Sequence, residues 1–313
     1  VTVADLEPRG GHQPWVALIN NLLSRELVDD ILQRMTDQPH GEADAECIAA
    51  NPSTPPDAVA VLATHPGPGV RRALARRHDL PLAILLDLAD DPDQQVRNAV
   101  STHHHLTEDQ RLTIDYRFPD AEDGDFGPMP NVWPPRDMDW LIRKATSAHT
   151  MLRRSAASNA WLPPEYVPAL ADDHDLGVRA LLSHNHPEAP PEVLLRTFTE
   201  CPRNRWRLTA HQNFPRDGLT RFAGHESPVS RRLATHDPTM DAATADRLTR
   251  DGDSEVREAA SRHANLSLSR ILELIAGSDP APAEAAAANP SLPVEEMGRI
   301  LADHLDSSQN PQR

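Results

Sequence analysis

Val70 to Gln95 reads VRRALARRHDLPLAILLDLADDPDQQ, and at Val96 the theme starts again with VRNAVS. The theme is V-R-x-x-L/A-A, a polar patch, an L-P step, an apolar run, then L-A-x-D-P-D. A unit of about 26 residues cannot bury its own apolar face, so neighbouring copies must stack into one continuous core. Nine copies open near Ala45, Val70, Val96, Leu152, Val178, Trp206, Ser230, Val256 and Ala283. One interval, Val96 to Leu152, is 56 residues long, which holds a copy plus about 30 extra residues.

Each copy carries its own punctuation. V-R-x-x-L-A supplies about two helical turns, and the residue before proline is pushed out of the helical region. Proline is then welcome in the first turn of the next helix, and Pro81, Pro164, Pro191 and Pro293 recur there. Leucines at helical spacing follow Pro81, and Asp-Pro-Asp at 91–93 ends the unit. The expected fold is therefore all-α, a helical-repeat solenoid of alternating short and longer helices. Aromatics make up only 4% of residues, which argues against a sheet-rich fold.

The pattern resembles the leucine-rich repeat variant family, whose units carry V-R-x-x-L/A-A, L-P and L-x-x-L-A-x-D-P. The likeness runs through about four fifths of the chain and is strongest at Val70–Val100 and Leu152–Ala180. It implies a right-handed superhelix in which α-helices alternate with 3₁₀ helices, without strands; HEAT-like helical repeats are the nearest structural alternative. One arrangement in that family adds an N-terminal cysteine cluster holding an iron–sulfur centre. Only Cys47 precedes the insert here, and the second cysteine is Cys201, so neither that cofactor nor any other is expected.

The expected organisation is an N-terminal helical cap over 1–44, repeats one to three over 45–115, an aromatic and acidic insert over 116–151, repeats four to nine over 152–304, and a tail over 305–313. The cap rests on PWVALINNLLSRELVDDILQRM, with Trp15, Leu18, Leu22 and Leu23 on one face. The insert contains YRFPDAEDGDFGPMPNVWPPRDMDW, and its Tyr116, Phe118, Phe126, Trp133 and Trp140 stand out in a chain poor in aromatics. A long excursion of this kind is usually functional or disordered. Tyr116, Phe126, Trp133 and Trp140 are accordingly the expected partner-binding residues, although a plug between repeats would use the same side chains.

Two recurrent polar sets remain. Arg71, Arg97, Arg153, Arg179, Arg207, Arg231 and Arg257 hold the second position of seven units. Carboxylates precede several of them: Asp91 and Asp93 before Arg97, Asp172, Asp173 and Asp175 before Arg179. That proximity favours a clamp between repeats, each guanidinium reaching the acidic turn or exposed carbonyls of a neighbour, over a cationic ladder for ligands, and the planar guanidinium fork suits it. The second set comprises Asn51, His78, His103, His104, Asn159, Asn185, His186, Asn213, His236, His263 and Asn289. Asparagine and histidine there can satisfy backbone groups left free where a helix stops; the alternative is a polar stripe along one solenoid face that a peptide could read through hydrogen bonds. His103-His104-His105 has no convergent carboxylate or cysteine set.

No nucleophile elbow, phosphate loop or H-E-x-x-H zinc motif occurs, and the acidic tract Asp120–Asp125 lacks calcium-loop spacing. The chain reads as a non-enzymatic scaffold for a protein or peptide partner. A formal charge of −16 disfavours general nucleic-acid binding, although an arginine-lined concave face would offer that alternative. No apolar run approaches the length of a membrane span, no secretory leader is visible, and a cytoplasmic location follows by default.

Overall fold

The computed structural model describes residues 23, 25–34, 41–118 and 137–309. Trp15, Leu18, Leu22, Phe126, Trp133 and the tract Asp120–Asp125 lie outside the described residues. Among those described, the regular structure is entirely α- and 3₁₀-helical. The chain divides into two compact units: one contains residues 23–118 with 137–156, and the other residues 157–309.

The repeat beginning at Val70 shows how the sequence makes a unit. Its first helix, Pro68–Ala75, starts with proline at a position where no amide donor is needed. Leu80 is followed by Pro81, whose extended ψ of 135° breaks the path before Leu82–Asp87. That helix tightens into a 3₁₀ turn at Leu88–Asp90, because Pro92 forces Asp91 out of the helical region. Asp93 then caps the next helix, Gln94–Ser101, by accepting from the amides of Gln95 and Val96. Asp175, Asp241 and Asp253 cap later helices in the same way.

Within each unit the first helices of neighbouring repeats pack on one another, as Gly41–Ala50, Pro68–Ala75 and Gln94–Ser101 do in the first and Pro228–Ala234, Ser254–Ser261 and Pro280–Ala287 in the second. In the first unit, Val70, Leu74, Leu80, Leu85, Val96 and Val100 are wholly buried in one cluster. In the second, one cluster is built around Leu194, Phe198, Leu208 and Leu219, and another around Leu248, Val256, Ala260 and Ile271. The valines that open units, Val70, Val96, Val178 and Val256, have no exposed surface. Trp206 breaks this rule with 71% exposure. Asn204 adopts a left-handed φ of 58° just before the helix Arg205–Ala210, and Leu208 fills the core instead.

Helix lengths vary about the theme. The two helices of one repeat are equal at Ser254–Ser261 and Leu268–Ile275. Elsewhere a 3₁₀ segment, Pro164–Tyr166 or Leu219–Phe222, supplies part or all of the second helix. Within the expected insert, Met138–Ala145 is an amphipathic helix capped by Asp137. It burics Leu141 and Ala145 and leads through a short turn into the helix Thr150–Ala157.

Candidate functional site

The repeated arginines point along the stack. Six of the seven, Arg71, Arg97, Arg153, Arg179, Arg231 and Arg257, donate from Nη1 to the carbonyls five and six residues earlier. Those carbonyls belong to the turn before the arginine's own helix. In Arg71, Arg97, Arg179, Arg231 and Arg257 the rest of the fork reaches the following turn. Arg71 donates from Nε and Nη2 to both Asp91 oxygens, at 2.6 and 2.9 Å. Arg231 does the same to Asp251, at 2.7 Å each. Arg179 reaches Glu200 and Arg257 reaches Asp279.

The clamp expected from sequence allowed either the acidic turn or exposed carbonyls as acceptors; the preceding turn contributes main-chain oxygens and the following turn contributes the acid. Asp93 caps the helix in front of Arg97, and Asp91 serves Arg71. Burial pushes the Asp91 carboxyl up, but Arg71 and the Asp93 amide outweigh it and hold the group below its ordinary range. Arg207 departs from the set: its Nη2 donates to the His184 carbonyl, because the late start of its helix after Asn204 puts Arg205 nearer the equivalent position.

The histidine and asparagine set is a second ladder. His103, His186, His211 and His263 each accept from the amide two residues on at Nδ1, at 3.1–3.2 Å. A backbone N–H can only donate, so the ring proton resides on Nε2. From there His103 donates to the Arg77 carbonyl, His211 to that of His186, and His263 to that of Asp237. Asn289 repeats the arrangement, with its amide nitrogen on the Ser261 and His263 carbonyls. Asp237 stands at the same place and accepts from Thr239 and Thr220. The sequence reading missed His211 and Asp237 as members, and Arg77, which stands at the same register but only donates, to Asp79 and the Pro52 carbonyl; His78, His104, Asn185 and His236 adjoin the position and Asn213 lies two residues past it.

Around the insert, Tyr116 stacks on His149 at 4.0 Å between ring centroids, and Phe118 meets the same imidazole edge-on. His149 is 2% exposed, and its Nε2 lies 3.0 Å from the Ser101 hydroxyl. Burial, then the Arg111 charge, lowers its pKa to about 4. Trp140 is half-buried. Its ring is approached by Arg143 at 5.0 Å, Arg111 at 5.3 Å and Lys144 at 5.5 Å, with His104 edge-on at 6.1 Å. Tyr116 and Trp140 are thus packed within the first unit. The structure does not bring them together.

In the second unit a cavity of about 460 Å³ is lined by Arg232, Thr235, His236, Pro238, Ala259, Arg262, His263, Ala264 and Pro290. Pro238, Ala264 and Pro290 are 26 residues apart, so successive repeats present equivalent positions to it. Arg232 pairs with Glu255 and Arg262 with Glu258 along one rim. His236 packs edge-on against Phe198 and Phe214; burial, then Arg232 and Arg216, lowers its pKa to about 4. Of these residues only His236 and His263 were named from sequence, in the polar set that a peptide could read, although the period-26 spacing and the doublet Arg231-Arg232 were visible. Trp161 and Trp206, 54% and 71% exposed, were not singled out for binding.

Among the described residues no group of three or more His, Cys, Asp or Glu is placed to hold a metal ion. No described helix is long and apolar enough to cross a membrane. No family model matches the chain, and no curated protein does. A solved structure described as a leucine-rich repeat variant with a novel repetitive protein structural motif is similar to it, at 23% identity over 84% of this chain and 82% of that one, with a TM-score of 0.31.

Proposed function

We propose that this chain is a non-enzymatic binding scaffold whose partner is a protein or peptide. The observation that carries the reading is the cavity in the second unit, walled by equivalent positions of successive repeats. An extended chain laid along a repeat surface meets the same kind of wall every period, as solenoid binding faces provide. Small residues, Ala259, Ala264 and Thr235, leave room for a backbone, and the charged rim of Arg232, Arg262, Glu255 and Glu258 offers pairing for polar side chains.

The alternative of an arginine-lined nucleic-acid face is weakened by the same structure. Six of the repeated guanidiniums are already engaged with the chain's own carbonyls. Phosphate contacts would have to displace those bonds, whereas nucleic-acid affinity depends on cations free to replace counterions.

The test is affinity capture from native extract with the wild-type chain, Ala259→Trp and Arg262→Glu. Ala259→Trp fills the cavity from a half-buried helical position and should abolish capture with helicity intact. Undiminished capture by both variants would reject the groove, and turnover of a small molecule would reject the scaffold reading. A gel retardation series at rising salt checks the alternative, since electrostatic binding weakens steeply with salt.

A further inference from the structure

The cations around Trp140 are unusual for this chain. Arg111 is spent: its guanidinium donates to Glu108 and to the carbonyls of Ser101 and Leu106. Arg143 and Lys144 are not. Among the described residues neither has an ion-pair partner, and the one hydrogen bond of the Lys144 ammonium goes to the neutral Ser155 hydroxyl at 3.2 Å. Two acids of this neighbourhood are occupied. Asp137 accepts from the Trp140 amide, and Glu108 accepts from Arg111, Ser147 and Ala148.

Placing Arg143 and Lys144 in the last turn of Met138–Ala145 favours the helix C-terminus. Their spacing of three and four residues from Trp140 on the same helix sets both head groups within 5.5 Å of its indole centroid. His104, edge-on to the indole, brings more nitrogen bases. His104 lies 4.8 Å from His78, 4.7 Å from His103 and 4.2 Å from His105, ring to ring. Burial pushes the Lys144 ammonium down. Burial, followed by the neighbouring imidazoles and Arg143, brings His104 to about 4. An ammonium kept from water without a counter-charge is costly, and an anion between Arg143 and Lys144 would offset that cost.

We propose that Arg143 and Lys144, set against the Trp140 indole and the His104 ring, form an oxyanion-binding site of the phosphate class. The site lies wholly in the first unit and is independent of the groove in the second. A free phosphate or a phosphorylated side chain presents the same oxygens to it, with charge-assisted bonds from both head groups.

The experiment is calorimetric titration of the full chain, in low-salt buffer at neutral pH, with inorganic phosphate and then with a phosphoserine peptide and its unphosphorylated twin. Saturable one-site binding is expected, weakened roughly tenfold or more in Arg143→Gln/Lys144→Gln through the loss of two charge-assisted bonds. Arg143 is exposed, so the single variant Arg143→Gln provides a folded control, checked by its melting curve. Tighter binding of free phosphate assigns the source to a small molecule, and tighter binding of the phosphopeptide assigns it to a modified protein. A binding-linked change in tryptophan emission should vanish in Trp140→Phe. No saturation at millimolar phosphate overturns the proposal, as does equal affinity in wild type and double variant, which would mark an adventitious ion only.

Discussion

The joint between Arg71 and Asp91 and the joint around Glu108 solve one problem in different ways. At the regular joint one guanidinium binds two carbonyls behind it and a carboxylate ahead, and both ends are buried, at 11% and 3% side-chain exposure. At the interrupted joint the cation is Arg97, whose acid partner Asp115 is 3.6 Å away and 68% exposed. There Glu108 takes over, binding Arg111, the Ser147 hydroxyl and the Ala148 amide across 39 and 40 residues of chain. His149 and Tyr116 stack beside it. A periodic joint is thus held by one multivalent side chain, and an aperiodic one by several unlike groups.

The largest expected effect is at the regular joint. Arg71→Ala strands the buried Asp91 carboxylate and should cost about 3 kcal/mol, as breaking a buried pair does; chemical denaturation measures it. Arg71→Lys should restore only part of this, because one ammonium cannot reproduce the fork. Equal losses for Ala and Lys would show that shape matters more than charge.

Glu108→Ala should follow at about 2 kcal/mol, since Arg111 is 2% exposed and would lose its carboxylate. The loss should exceed that of Arg97→Ala, expected at about 1 kcal/mol because its lost bonds are to water-accessible groups. If the order of these two variants reverses in the same denaturation series, Arg97 and not Glu108 holds the interrupted joint.

Acidification gives the finest distinction. His149 titrates at about 4 in the folded chain, against about 6.5 when unfolded. Between those values the unfolded chain takes up a proton that the folded one refuses, so stability is full above about pH 6.5 and falls toward pH 4. The slope from one such group is at most about 1.4 kcal/mol per pH unit. Melting curves from pH 7 to 4.5 should therefore fall less steeply in His149→Asn than in the wild type. Parallel curves would show that the aperiodic joint contributes no pH sensitivity.

The repeat was legible because its apolar positions recur at fixed spacing, and burial of Val70, Val96, Val178 and Val256 follows from that alone. The partners of the arginines were less legible. Stacking brings Asp91 to Arg71 from 20 residues on, whereas proximity in sequence favours the acid just before each arginine. The second ladder was partly hidden because unlike side chains fill its position: His103 and Asn289 accept from the amide two residues on and donate to the preceding repeat, Asp237 only accepts, and Arg77 only donates. The Trp140 surroundings were not legible at all. Arg111, Arg143 and His104 come from three separate segments, and no pattern in any one of them announces the meeting.

The second ladder has a consequence for how the chain tolerates editing. His103, His211, His263 and Asn289 deliver their bonds to main-chain carbonyls, which every amino acid possesses. The receiving end is blind to residue type, so adjoining cassettes need not be matched to one another at this contact. Excising residues 238–263 would bring Asn289 one cassette closer, onto the carbonyl of Asp237, and would place the amide of Asn265 where that of Thr239 had been. A cut one residue longer or shorter would leave the same donors facing the wrong oxygen. Whole-cassette loss or duplication is the kind of length change this architecture accommodates, and it needs no compensating substitution at the splice.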